Sequence, residues 1–182
     1  ANILRSHSKY GNSPDWKWNN ASLGWVCVHS KGITTPSEST NSTITIFKTG
    51  KHYTFSTFGS FPCSQVFRFA YSSDIKTKVQ DLYKPATANP DKNTEWWSSG
   101  ARAFRISTRF KSYINQFGKE RDELEAKFIA EALSPQNSNE LVKSQKERAD
   151  KFLNSAEEKL SSEEMVGISG GIKKYRKKCN PL

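Results

Sequence analysis

Hydrophobic and polar residues alternate in the first half of the chain, as they do in strands that bury one face. The alternation is clearest in residues 43–47, where threonine and isoleucine take turns. Gly50 permits a tight turn into residues 53–58, so residues 43–58 are predicted to form a β-hairpin. Three more segments that are short and rich in apolar, β-branched or aromatic residues are predicted strands: residues 25–28, 65–71 and 103–107.

Aromatic and basic residues interleave along two of these strands and just beyond them. The alternation predicts that Phe67, Phe69 and Tyr71 share a buried face while Arg68 points outward. Two interpretations stay open. The rings and cations suit single-stranded nucleic acid, whose bases stack on aromatic side chains and whose phosphates meet cations. The same pattern also fits a core whose exposed edge is solvated.

From Arg109 onward the hydrophobic period becomes that of an amphipathic helix. The Ser134-Pro135 pair ends this helix, because the residue before a proline disfavours helical dihedral angles. Asn137 and Glu140 offer capping groups for a second helix. The short connection predicts that the two helices pack antiparallel. Their apolar stripes are Phe110, Tyr113, Ile114, Phe117, Leu124 and Phe128, and then Val142, Ala149, Phe152, Leu153, Ala156 and Leu160.

These patterns predict an α+β fold, with a small antiparallel sheet followed by a helical hairpin. The predicted organisation has four parts: an extended N-terminal arm over residues 1–23, a strand-rich body over 24–108, the helical hairpin over 109–162 and a glycine-containing basic tail over 163–182. No apolar run is long enough to cross a bilayer.

The chain is strongly basic, and the excess charge is unevenly distributed. Its 28 lysines and arginines exceed its 18 acidic residues, which gives a net charge of +10. Residues 1–108 hold thirteen basic and six acidic residues, whereas residues 109–172 hold ten and twelve. Residues 173–178 add five more basic residues. Such a charge favours a negatively charged partner, which can be nucleic acid, an anionic membrane surface or an acidic protein.

Tryptophan residues and exposed basic residues are the predicted contacts to that partner. Trp16 and Trp18 lie in the polar arm, and because their apolar surface is costly to expose we expect them to dock on the protein's own core or on a partner. The full predicted set is Trp16, Trp18, Arg68, Trp96, Trp97, Arg102, Arg105, Arg109, Lys173, Lys174, Arg176, Lys177 and Lys178.

The sequence shows no motif that predicts an enzyme or a metal site. The histidines His7, His29 and His52 are scattered. Cys27 and His29 lie two residues apart, on one face of a predicted strand, but two ligands do not make a metal site.

Three cysteines, Cys27, Cys63 and Cys179, are odd in number and far apart, which favours thiols in a reducing compartment over a disulfide framework. Two acceptor sequences for N-glycosylation, at Asn20 and Asn41, would matter only if the chain were secreted.

Two segments resemble the small linker domain of phycobilisome rod and core-capping linkers. Ser64–Phe69 resembles the family's strand of type S-x-V-F-R, and Phe104–Phe110 resembles its second strand, which runs directly into a helix. The chain departs from the family in two places. The loop between these segments is longer and carries Trp96 and Trp97, and the third strand does not follow the helix and is echoed only by residues 170–173.

The resemblance implies a non-enzymatic linker that assembles acidic phycobiliproteins in a light-harvesting antenna. The expected location is the chloroplast stroma beside the thylakoid, with a transit peptide removed, or the cyanobacterial cytoplasm. No cofactor of its own is implied, and bilins belong to the partners. Some family members attach a bilin through cysteine, which makes Cys27 and Cys63 candidate attachment positions. The alternatives are an RNA-binding or ribosome-associated basic protein, and a viral or secreted binding module.

Overall fold

A computed structural model of the protein describes residues 1–7, 14–17, 26–29, 39–73, 85–86, 89, 91–134, 139–163 and 165. These residues form a three-stranded antiparallel sheet and three helices, which is the predicted α+β fold. The strands are β1 (Thr43–Lys48), β2 (Lys51–Ser56) and β3 (Arg68–Ser72). The helices are α1 (Glu95–Ser107), α2 (Phe110–Ala132) and α3 (Asn139–Leu160), and short 3-10 turns span Ile3–Arg5 and Pro62–Ser64.

The predicted hairpin is confirmed, and its register follows from the turn between β1 and β2. Lys48 pairs with Lys51, and Thr43 pairs with Ser56 at the other end. Thr49 and Gly50 both have positive φ, at 52° and 75°. Two positive φ values in a two-residue loop match the right-handed twist of the flanking strands, so this loop fixes the pairing.

A bulge in β3 reverses the direction of one predicted core residue. Phe55 pairs with Phe69, but the preceding residue Thr54 pairs with Tyr71, so Ala70 is the extra residue. An extra residue shifts the side-chain alternation by one position. Phe69 is therefore buried as predicted, whereas Tyr71 is 40% exposed and lies on the opposite face, where the alternation alone does not place it.

The inner face of the sheet packs on the helices and carries one of three buried clusters. Tyr53, Phe55 and Phe69 meet Ala132 of α2 and Val142 of α3. The helices also satisfy the free backbone groups near β3, because the amide of Phe69 donates to Gln145 Oε1 at 2.9 Å. The amide of Phe67 is paired in the same way with Glu125 Oε1, so the helices cover this part of the sheet edge.

Residues 103–107 are helical, and the prediction of a strand there is wrong. The alternation Phe104-Arg105-Ile106 is too short to separate a strand from a helix. Ser99, Ala103 and Ile106, spaced four and three residues apart, are buried along one side of α1. Their side faces the segment before β3, where Ser64 Oγ donates to the carbonyl of Ala103 at 2.9 Å. Tertiary packing therefore decides the helix.

The strand predicted at residues 25–28 is also absent from its described part, residues 26–28. These residues cross the body as an irregular segment. The amide of Cys27 donates to the carbonyl of Ser6, and the amide of Val28 to Ser39 Oγ, so side-chain and loop bonds replace a strand ladder.

The helical hairpin of α2 and α3 is confirmed. Its buried residues follow the predicted stripes, with Tyr113, Phe117 and Phe128 of α2 against Phe152 and Leu153 of α3. Gln145 on α3 donates to the carbonyl of Phe128 on α2 at 3.0 Å, and this bond helps to set the position of one helix along the other. No helix among the described residues is long and apolar enough to cross a membrane.

The described parts of the predicted N-terminal arm, residues 1–7 and 14–17, pack on the body. Arg5, His7 and Trp16 are each at most 2% exposed. Trp16 therefore docks on the protein's own core, one of the two predicted destinations. Trp18 lies outside the described residues, as do Asn137 and the basic residues of the tail at 173–178.

Candidate metal centre

Four side chains that commonly bind metal ions converge in the interior of the body. They are His7, Cys27, His29 and Cys63, and one ligand atom from each lies within 4.8 Å of all the others. Each of the four residues is fully buried. Two thiols and two imidazoles in one place form the donor set of many tetrahedral zinc sites.

The distances between these ligand atoms approach the edges of a metal-centred tetrahedron. His7 Nε2 and His29 Nε2 are 3.1 Å apart, and His29 Nε2 is 3.5 Å from Cys27 Sγ and 3.3 Å from Cys63 Sγ. A tetrahedral zinc ion, with bonds of about 2.05 Å to nitrogen and about 2.3 Å to sulfur, places two nitrogens about 3.4 Å apart and nitrogen and sulfur about 3.6 Å apart. A small movement outward would therefore accommodate the ion.

The segment that carries His7 is held by a buried ion pair two residues earlier. Arg5 donates to both carboxylate oxygens of Glu125 on α2, with 2.9 Å from Nη1 to Oε2. Arg5 also donates to the carbonyls of Pro62 and Gln65, both at 3.1 Å, on either side of Cys63. One guanidinium group thus ties the His7 segment and the Cys63 segment to the same helix.

The turn that carries Cys63 is anchored from two more directions. Arg121 of α2 donates from Nη1 to the carbonyl of Cys63 at 3.1 Å. Phe61, which begins the 3-10 turn, has a φ of 60°, and such a left-handed conformation is uncommon for a phenylalanine. The strain indicates that surrounding contacts determine the position of Cys63.

Aromatic rings enclose the cluster on one side. The indole of Trp16 stacks on the His7 ring, with centroids 4.0 Å apart and planes at 14°. Phe110 meets both of these rings edge-on, with centroids 5.2 Å away in each case, and Phe61 stacks at 5.1 Å from His29. These rings shield the four ligand atoms from water and restrict the rotamers of both imidazoles.

The two buried thiols have pKa values that are displaced in opposite directions. Burial alone would raise the pKa of the Cys27 thiol, but hydrogen bonds with Cys63 and His29 and the charge of the His29 ring hold this pKa well below its ordinary value. Burial, together with the hydrogen bond and charge of Cys27, raises the pKa of the Cys63 thiol. One thiol of the pair is therefore easily deprotonated, whereas deprotonation of the second is opposed by the charge of the first. The positive charge of a bound divalent cation would favour deprotonation of both thiols.

The arginines predicted to contact a partner are instead engaged with acidic groups inside the molecule. Arg68 is buried, where the alternation predicted it exposed, and its Nη2 lies 2.5 Å from Glu95 Oε1. Its guanidinium also lies 4.5 Å from the centre of the Phe58 ring. Arg102 pairs with Asp150 at 2.7 Å and Arg105 with Glu157, so α1 and α3 are joined by ion pairs.

The remaining predicted contacts lie apart from the four candidate ligands or outside the described residues. Arg109 donates to the backbone carbonyls of Glu163 and Ser161, at the end of α3. Trp96 and Trp97 are half-buried on α1 and meet edge-to-face, with centroids 4.6 Å apart. Of the predicted contacts that the structure describes, only Trp16 packs on the ligand cluster, which also contains both candidate cysteines.

The sequence contains only a weak signal for this cluster. The Cys27-x-His29 pair is visible, but His7 lies 20 residues before Cys27 and Cys63 lies 34 residues after His29. These separations match none of the compact spacings that identify zinc motifs from sequence. The convergence depends on the packing of three loops around α2, which the sequence pattern does not predict.

Comparison of the chain with models of protein families, with curated proteins and with solved structures gives no match in any of the three.

Proposed function

We propose that this chain is a non-enzymatic binding protein whose fold is closed by a structural zinc ion. The observation that supports this proposal is the convergence of His7, Cys27, His29 and Cys63 at distances near those of a tetrahedral site. The ion joins three chain segments that do not pair with one another in a sheet. Its bonds to the ligands therefore hold these segments together where backbone hydrogen bonds would do so in a sheet.

A structural role is favoured over a catalytic one by the number and burial of the ligands. Catalytic zinc sites keep a coordination position open for water or substrate, whereas structural sites fill all four with protein atoms. Four protein ligands are present here, and all four residues are fully buried. A substrate therefore has neither a free position on the ion nor a path to it.

Zinc fits the donor set and the surroundings better than the harder cations. Thiolate and imidazole groups prefer zinc, while calcium and magnesium prefer oxygen. Two thiolates also balance the double positive charge of the ion, so the centre is neutral when both imidazoles are neutral. A neutral centre suits the apolar enclosure that Trp16, Phe61 and Phe110 provide.

The partner proposed for this protein is negatively charged, because the chain carries a net charge of +10. The role of a phycobilisome linker remains one version of this proposal, supported by the segment Ser64–Phe69 and by the basic character expected of a protein that joins acidic phycobiliproteins. Residues 104–107, which resemble the linker's second strand, lie in α1, so the resemblance does not extend to the fold of that segment. Bilin attachment, which the resemblance implies for Cys27 and Cys63, is less well supported, because both thiols are buried against His29.

The metal proposal is tested with the full chain, purified without chelators. We expect one zinc per chain by elemental analysis. After the metal is removed, one equivalent of Co²⁺ should produce the visible absorption of tetrahedral cobalt and the near-ultraviolet band of a cobalt–thiolate bond. The variants Cys27→Ser and Cys63→Ser should weaken or remove that band, and the matched control Cys179→Ser, which changes the remaining cysteine, should leave it unchanged.

A second measurement avoids dependence on variants that fold poorly. In the unmodified chain, a chelator should increase the rate at which Cys27 and Cys63 are alkylated, as mapped by mass spectrometry, and added Zn²⁺ should restore the slow rate. If one equivalent of Co²⁺ gave no thiolate band, or if alkylation of both thiols ignored chelator and zinc alike, the proposal would be wrong.

A further inference from the structure

Three rings lie in a row across the outer face of the sheet, opposite the face that packs on the helices. Phe47 of β1 is the cross-strand partner of His52 of β2, and their ring centroids are 6.3 Å apart. The His52 ring lies 5.3 Å from the ring of Tyr71 on β3. The row therefore crosses all three strands.

The exposure of this row depends on two structural features. Phe47 is 81% exposed, which is high for a phenylalanine in a strand, because Ile44 and Ile46 supply the inner side of β1. Tyr71 reaches the outer face only because of the bulge at Ala70. Bulges often re-aim a side chain at a functional site, and this one completes the row of rings.

The charge around the row is positive. Lys48 and Lys51 are paired across the hairpin next to Phe47 and His52, and both are exposed at the end of the sheet, although strand alternation gives them the side of Ile46 and Tyr53 rather than that of the rings. The whole segment 39–73, which contains the sheet, has no aspartate or glutamate. Thr45 and Thr54 add hydroxyl groups to the outer face and lie 3.1 Å apart.

We propose that this face of the sheet binds single-stranded nucleic acid. Bases stack on the rings of Phe47, His52 and Tyr71, and Lys48 and Lys51, at the end of the sheet beside the row, meet the phosphates where the bound strand passes the hairpin turn. Rings 5 to 6 Å apart can each take a base only when the bases are unstacked from a partner strand, which selects single strands over duplexes. An acidic protein is the alternative occupant, because aromatic side chains also pack in protein interfaces, and the test below separates the two.

This site is independent of the proposed zinc centre. The ring row lies on the outer face of the sheet, whereas none of the four ligands belongs to a strand. Loss of the row should leave the metal content unchanged, so failure of one proposal does not imply failure of the other.

The test measures binding of the zinc-loaded full chain to a fluorescently labelled oligouridine of about ten nucleotides by anisotropy, at several salt concentrations. Phe47→Leu and Tyr71→Leu keep an apolar side chain and remove the ring. Each should weaken binding about 5- to 150-fold, the effect of losing one stacked base. Phe47→Tyr, which keeps a ring, should bind within about threefold of the unmodified chain.

Lysine variants test the electrostatic part of the site. The double variant Lys48→Gln/Lys51→Gln should reduce the slope of log K against log salt by about 1.4, which is two phosphate contacts of a single strand. Lys119→Gln is the matched control, because Lys119 on α2 is 93% exposed and lies apart from the sheet. It should leave both the slope and the affinity unchanged within error.

Two outcomes would overturn the proposal. If oligouridine bound equally well to Phe47→Leu, Tyr71→Leu and the unmodified chain, the contacts would lie elsewhere, for example in the basic residues 173–178. If oligouridine failed to bind at physiological salt while an acidic phycobiliprotein bound in a manner sensitive to Phe47→Leu, the face would be a protein interface. Circular dichroism and thermal unfolding of each variant check that the fold is intact, as expected for substitutions of exposed side chains.

Discussion

The metal-ligand cluster and the core of the helical hairpin are both buried, but they are assembled in different ways. The hairpin core comes mainly from two consecutive helices, and each apolar residue in it adds its own share of buried surface. The ligand cluster comes from three segments separated by at least 20 residues, and it consists of polar groups. Buried polar groups stabilise a fold only when their partners are all in place. The hairpin should therefore tolerate partial damage better than the cluster.

The largest expected effect comes from removing the metal. Because structural zinc in small domains contributes about 10–16 kcal/mol of binding free energy, its loss should lower the free energy of unfolding of the ligand region by at least ~5 kcal/mol and the Tm of that unfolding step by about 10–20 °C. Amide hydrogen exchange should accelerate at residues 4–7, 26–29 and 61–65 and change little in α2 and α3. Equal acceleration of exchange in α2 and α3 would show that the two regions unfold as one unit, and the proposed difference between them would be wrong.

The next effect concerns the ion pair that joins the two regions. Glu125→Gln leaves Arg5 buried without a carboxylate, and breaking a buried pair in this way costs about 3–5 kcal/mol. Urea unfolding should show this loss, and cobalt affinity should fall as well, since Arg5 positions the segment of His7. Glu123→Gln on the same helix is the control. The Glu123 side chain is 58% exposed, and its Oε1 lies 3.8 Å from Lys119 Nζ. Loss of this surface ion pair should therefore cost less than about 1 kcal/mol.

A substitution within the hairpin should separate stability from metal binding. Leu153 of α3 is 1% exposed, and Leu153→Ala should cost about 2–5 kcal/mol in urea unfolding because of the cavity it leaves. The cobalt spectrum and stoichiometry should be unchanged. Lys151→Ala, at an exposed position of the same helix, controls for helix propensity. A change in the cobalt spectrum of Leu153→Ala alone would mean that the hairpin core sets the ligand geometry.

The smallest expected effect is a loss of folding stability at alkaline pH, caused by Tyr113 in the core of the helical hairpin. Burial raises the pKa of Tyr113 to about 12, although the charge of Arg121 opposes this shift. The folded state thus holds the phenolic proton more tightly than the unfolded state, where the pKa is about 10. This contribution is fully present below pH 10 and is lost as the pH rises from 10 towards 12. Between pH 9 and pH 11, Tyr113→Phe should lose less stability than the unmodified chain, by about 1 kcal/mol; equal losses would contradict the assignment.

The prediction of the fold succeeded where local pattern and tertiary packing agree. The hairpin turn at Gly50 and the stripes of α2 and α3 follow from short-range rules that the rest of the chain does not oppose. The prediction failed at residues 103–107, where five residues fit a strand or a helix equally well and contacts with residues 59–65 decide for the helix. It failed again at Arg68, which is buried because Glu95 on α1 supplies a charge across 27 residues of sequence.

The sequence by itself determined the class of fold, the presence of the β-hairpin within residues 43–58 and the excess of positive charge, because each depends on residues close together in the chain or on composition alone. Only the tertiary structure decided where His7, Cys27, His29 and Cys63 meet and which face Tyr71 joins. The first depends on Arg5 and Arg121, which hold the turn of Cys63, and on the hydrogen bond from the Cys27 amide to the Ser6 carbonyl; the second depends on one extra residue in β3. Both are consequences of contacts between distant segments, and a local pattern of hydrophobic and polar residues carries no information about such contacts.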